Sequence, residues 1–149
     1  MRRYVYVLLL AASVGCARVN VEEEQKALMA ADQEWSRSTK DLDKFMSYVA
    51  ADVFFMPPGE PPVRGRDALR TWMAAFLAQF RTSSLTLADR EVLVGNGWAV
   101  ELGTFEWALQ PVAGGAEVID RGNYMQVWRE QDDKTWKFAR EVYNSSVPL

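Results

Sequence analysis

The sequence predicts an α+β fold in which three N-terminal helices pack on one face of a curved, mostly antiparallel sheet. Apolar residues recur at helical spacing in three early segments, interrupted by one short β-prone run. The remainder reads as four long extended stretches, approximately 83–94, 98–109, 117–130 and 135–146, separated by marked turns. The resulting order is helix, helix, short strand, helix, then four strands in a meander.

The first helix is expected from Val21 to about Ser38. Asn20 followed by Glu23 is an N-capping pattern, Glu22 to Glu24 suit the positive end of the helix dipole, and Leu28, Ala31 and Trp35 share a face. Asp41 caps a second, shorter segment whose Leu42, Phe45, Met46 and Val49 form one buried stripe. These two helices are expected to pair as a hairpin. Val53-Phe54-Phe55-Met56 is a short strand stopped by Pro57 and Pro58, which cannot donate to a ladder. Beyond Gly65, the residues Leu69, Trp72, Met73, Phe76, Leu77 and Phe80 keep helical spacing, so a third helix lies on something large and flat. Gly95-Asn96-Gly97 is a hairpin signal, Pro111 to Ala116 a looser connection, and Gln131 to Lys134 a polar tip.

A chain of 149 residues has room for one domain. It holds no histidine and one cysteine, Cys16. That excludes a Ser-His-Asp triad, a Cys-His pair, histidine-ligated zinc and an internal disulfide, and leaves acid–base chemistry to Asp, Glu, Tyr or Lys. No metal or cofactor is expected. The net charge of −3 and the absence of a basic patch argue against a nucleic-acid partner.

Residues 1–16 read as an export signal, with Arg2 and Arg3 before a short apolar core from Tyr4 to Val14. Ser13-Val14-Gly15-Cys16 resembles a bacterial lipobox, with serine where leucine is usual, so Cys16 is the expected lipidation site. The alternatives are ordinary signal-peptidase cleavage nearby, or a cysteine that merely packs in the leader. Residues 17–21 would then be a tether and 22–149 the domain, held outside the cytoplasm in the cell envelope, with membrane contact only through the lipid.

The passage Asp52 to Trp72, then Trp98 to Gly103, then Gly122-Asn123-Tyr124, Val127-Trp128-Arg129, Trp136-Lys137 and Arg140-Glu141 with Asn144 resembles the nuclear-transport-factor-2-like superfamily that includes ketosteroid isomerase, within it the SnoaL-like, DUF4440-type branch. The resemblance spans about residues 22–146. It implies a cone whose open end forms a pocket between helices and concave sheet, and a homodimer. It leaves the reaction open, since one fold hosts many functions.

Strand alternation places Trp136, Phe138, Arg140, Val142 and Asn144 on one face of the last strand, taken as inward, and Lys137, Ala139, Glu141 and Tyr143 on the other. Arg140 and Asn144 are therefore candidate ligand-orienting groups; alternatively Arg140 pairs with a buried carboxylate and Asn144 ties down the chain end. Glu101 shares a partly apolar face with Ala99, Gly103, Phe105 and Trp107 and is the candidate proton-shuttling base, the alternative being surface charge. Gly103 would let a ligand or another backbone approach closely. Tyr124 shares a face with Gln126 and Trp128, and either polarises a carbonyl, by resemblance to the tyrosine of ketosteroid isomerase, or sits in an aromatic dimer patch. Phe54, Met56, Trp72 and Phe76, with Phe55, are candidates to line the pocket or else plain core. Asp52 and Asp67 have helix-end explanations.

Three functions compete. The leading one is an exported, lipid-anchored pocket domain binding a small apolar or amphipathic molecule. The alternatives are an isomerase, dehydratase or cyclase using carboxylate acid–base chemistry, and a dimeric assembly module of the envelope.

Overall fold

The computed structural model describes residues 20–146, and within them two helices precede the first strand while the third follows it, so only two are N-terminal to the sheet. Helix α1 spans Val21–Arg37, a 3-10 turn follows at Ser38–Lys40, and the six-residue α2 spans Leu42–Ser47. The buried face of α1 is Leu28, Asp32 and Trp35, spaced i, i+4, i+7. Asn20 makes no side-chain capping bond, so the expected capping box is not formed. Asp41 does cap α2, its carboxylate accepting from the Lys44 N–H at 3.0 Å. The two helices are joined by Lys44–Glu34 at 3.1 Å and by the rings of Trp35 and Phe45, 5.5 Å apart.

Strand β1 spans Val49–Met56, starting earlier than the apolar run alone suggests, and β2 is the two-residue Val63–Arg64. Helix α3 follows at Arg66–Gln79 and leads directly into β3, Phe80–Gly95. Strands β4 (Trp98–Pro111), β5 (Val118–Glu130) and β6 (Trp136–Ser145) complete one six-stranded sheet in the order β2-β1-β6-β5-β4-β3. The last four strands form an antiparallel meander, and β1 adds to the free edge of β6 in parallel. Asn96 and Gly97, both at positive φ (47° and 76°), turn β3 into β4 with the twist that suits a tight hairpin.

The register steps once near the start of β3, between Thr82 and Ser84, and two further bulges set which side chains form the site. In β3 the register steps from Ala88↔Thr104 to Glu91↔Leu102, so Asp89 and Arg90 together oppose Gly103. Asp89 takes positive φ (49°) there. In β6 the register steps from Phe138↔Trp128 to Arg140↔Val127, leaving Ala139 as the extra residue. Between helices and sheet lies a core in which Trp35 stacks on Phe138 at 5.3 Å and meets Trp128 edge-on at 6.0 Å.

Candidate active site

The concave face of the sheet and the helices enclose a cavity of about 60 Å³. Rings of Trp35, Phe45, Phe55, Trp72, Phe105 and Trp107 make most of its wall, with Leu69, Met73, Leu85 and Leu87 filling between them. Trp72 is fixed by its indole N–H, which donates to Glu60 at 2.8 Å and ties the proline-rich loop to α3. The polar groups of the wall are Thr39, Tyr124, Gln126, Glu141 and Tyr143. Such a wall suits an apolar body carrying a few directed polar atoms.

Glu141 reaches this cavity because of the bulge at Ala139. Trp136 and Phe138 point inward as expected, but the extra residue reverses the alternation beyond it, so Glu141 and Tyr143 turn in while Arg140, Val142 and Asn144 turn out. Gln126 donates to Glu141 Oε1 at 3.0 Å and itself accepts from the Trp128 indole at 3.2 Å. The described residues supply no donor to the other Glu141 oxygen. Burial pushes the Glu141 carboxyl from 4.5 up to about 7, with Asp32 and Glu101 adding repulsion against the opposing bond from Gln126. Burial, then the Glu141 charge, raises the Tyr143 phenol, which stays protonated.

Behind the cavity lies a second polar cluster. Glu101 and Asp32 are fully buried, and the Arg90 guanidinium bridges them, Nε to Glu101 Oε1 at 2.7 Å and Nη2 to Asp32 Oδ2 at 2.6 Å. Tyr124 donates its hydroxyl to the same Glu101 oxygen at 2.7 Å. Asp32 Oδ1 and Glu101 Oε2 have no partner among the described residues. One cation thus serves two buried carboxylates. Asp32 is pushed from 3.8 up to about 7, chiefly by burial and next by Glu101, with Arg90 opposing. Burial and the bond to Glu101 raise the Tyr124 phenol. Gly103 makes this possible, since a Cβ there would stand 2.8 Å from both the Ala88 carbonyl oxygen and the Tyr124 hydroxyl. The close neighbours expected at Gly103 are therefore a side chain and a strand of this protein.

Of the candidates read from the sequence, the structure brings Tyr124 and Trp72 to the cavity and Glu101 to the cluster behind it. Phe76 stands one layer back, stacked on Trp72 and on Trp107 with centroids 5.7 and 4.7 Å away. Phe54 and Met56 lie on the opposite face of β1 from the cavity, where Phe55 takes the inward place. Arg140 also belongs to the outer face: it donates to the Asp52 carbonyl at 2.9 Å and pairs with the Asp52 carboxylate at 3.4 Å. Arg129 grips that carboxylate with both terminal nitrogens, holding Asp52 down at about 2. Asn144 accepts from the Asn123 side chain at 3.2 Å across the strand pair. Cys16 lies outside the described residues.

Sequence reasoning missed Glu141, Tyr143, Asp32 and Arg90. Asp32 left a signal, a carboxylate on the same stripe as Leu28 and Trp35. Arg90 and Glu141 left none, because Arg90 lies within a bulge and Glu141 follows one. Among the described residues, no group of three or more His, Cys, Asp or Glu is placed to hold a metal.

The model of the SnoaL-like domain matches residues 32–138, from the buried aspartate of α1 to the core phenylalanine of β6. The chain belongs to the SnoaL-like domain family. No curated protein matches it. Solved structures similar to this SnoaL-like domain include a conserved protein from Planctomyces limnophilus, 19% identical over 83% of this chain and 98% of that one, with a TM-score of 0.75. A ketosteroid isomerase-like protein from Erwinia carotovora atroseptica is 19% identical over 85% and 98%, with a TM-score of 0.74. A candidate scytalone dehydratase from Novosphingobium aromaticivorans is 16% identical over 85% and 86%, with a TM-score of 0.77. At such identities the likeness is one of fold, the nuclear-transport-factor-2-like α+β architecture.

Proposed function

We propose that this SnoaL-like domain binds a small molecule in the cavity, its apolar body against the aromatic rings and its polar end at Glu141. The observation that carries the reading is a buried carboxyl with one unengaged oxygen at the polar end of an aromatic-lined space. Trp35, Trp72 and Trp107 line that space, so their fluorescence reports its occupancy. Titration with small aliphatic alcohols should change the emission saturably and raise the melting temperature. A panel that leaves both unmoved refutes the reading.

A catalytic role rests on a further observation, the Glu141 carboxyl at about 7, where it can both take and return a proton near neutrality. In an isomerase or dehydratase, Glu141 would remove a proton from carbon and Tyr143, a neighbour on the same inward face, would hold the substrate oxygen. Tyr124 is poorly placed for that task because its only proton is already given to Glu101. Two structural neighbours carry the names of an isomerase and a dehydratase. Exchange of α-hydrogens of small enolisable ketones, measured by NMR, should be accelerated by the chain and lost in Glu141→Gln; no acceleration removes the enzyme reading.

Homodimerisation is favoured by the outer sheet face. There Leu102, Met125, Val142 and Met56 lie in register across four strands, with Leu93, Val100, Val127 and Phe54 in the adjoining register positions. Export and lipidation at Cys16 complete the proposal, resting on the leader sequence, and mass spectrometry of the envelope-fractionated protein tests them.

A further inference from the structure

The inward-facing ionisable groups are out of balance. Asp32 comes from α1, Arg90 from β3, Glu101 from β4 and Glu141 from β6. Arg90 is occupied by two of the three carboxylates, and among the described residues no lysine or arginine lines the cavity onto which Glu141 faces. Glu141 is 8% exposed, its Oε1 is engaged with Gln126, and its other oxygen has no donor among the described residues. A buried carboxylate without a positive partner is an expensive arrangement. The surroundings favour one kind of partner. Trp and Tyr rings present negative faces, and several of them around one space attract a cation once water is excluded. Three tryptophans, Trp35, Trp72 and Trp107, belong to this wall.

We propose that the cavity is a site for a small organic cation, a protonated amine on a short apolar body, whose N–H groups donate to Glu141 and whose charge rests against the aromatic rings. The proposal depends on the cavity being a ligand site and names the chemical class it takes. Size narrows the class further. An engineered apolar cavity of about 150 Å³ holds benzene, whereas this one measures about 60 Å³. An alkylammonium of a few carbons fits that scale, and a fused-ring body does not. A neutral ketone would leave the carboxylate unpaired, and a carboxylic acid would meet it as a like charge.

The test compares isobutylammonium with isobutanol, which have the same shape and differ in charge, by tryptophan fluorescence and NMR titration of the full chain at pH 8. The ammonium should bind at least tenfold more tightly, and in Glu141→Gln the two probes should bind with equal affinity. The amide oxygen introduced by that substitution can still accept from Gln126, so the fold should persist. Trp72→Leu provides an independent variant, expected to weaken the ammonium more than the alcohol. Equal affinity of the wild-type chain for the two probes, or an ammonium preference that survives Glu141→Gln, overturns the cation site while leaving a ligand cavity standing. Failure of both probes to bind overturns the cavity as a ligand site and this proposal with it.

Discussion

Replacing Glu141 by glutamine should stabilise the folded chain at alkaline pH and leave it almost unchanged in acid. The folded carboxyl titrates at about 7 against 4.5 for a free side chain, mainly because it is buried. Between these values the unfolded chain has lost its proton while the folded chain keeps it, so wild-type stability falls as pH rises from about 4.5 to 7 and levels off above. At about 1.4 kcal/mol for each tenfold step, the loss comes to about 3 kcal/mol. Glutamine does not titrate, and its amide oxygen can retain the bond from Gln126. Urea denaturation of both chains at half-unit intervals from pH 4.5 to 8.5 reads the effect directly. Asp32 also titrates at about 7, so both chains keep a pH dependence, and the informative quantity is their difference. That difference should grow from near zero to about 3 kcal/mol in favour of the variant. A difference that stays flat across the range, or a variant less stable at pH 8, would refute the assignment of Glu141 as a buried carboxyl destabilised by its surroundings.

Arg90→Met should cost about 3–5 kcal/mol at pH 8, the usual consequence of stripping the partner from buried charges, and less at pH 5, where Asp32 is protonated; chemical denaturation at the two pH values checks it. Gly103→Ala forces a methyl group against the Tyr124 hydroxyl and the Ala88 carbonyl, and should destabilise by about 1–3 kcal/mol. An unchanged melting curve would show that the packing there is loose. Met125→Glu introduces a charge in the middle of the outer apolar face. If that face pairs two copies, sizing chromatography should show a wild-type dimer and a variant monomer, and a monomeric wild type disposes of the dimer.

The element order was legible because its signals are local. Helical stripes around Trp35 and Trp72, the Asn96-Gly97 turn and the prolines after Met56 each act over a few residues, and the structure keeps them. The two faces of β4 and β5 were separable for the same reason, since neither strand contains an inserted residue, but only the structure shows that Glu101 and Tyr124 fall on the inner side. The site was less legible. Its acid–base candidate is Glu141, which strict alternation from Trp136 and Phe138 assigns to the wrong face. Likewise Phe54 and Met56 were placed in the pocket on composition, whereas the parity of β1 gives that place to Phe55.

By itself the sequence determined an α+β chain with helices leading into an antiparallel meander, acid–base chemistry restricted to Asp, Glu, Tyr and Lys, and which residues share a face with Glu101 and with Tyr124. The tertiary structure decided where the alternation breaks. A bulge exists because two residues of one strand pair with one residue of another, Asp89 and Arg90 with Gly103, or Ala139 between the partners of Trp128 and Val127. That choice belongs to the pairing between strands and leaves no trace in local periodicity. It brings Arg90 between Asp32 and Glu101 and turns Glu141 into the cavity, and so it sets the chemistry of the site.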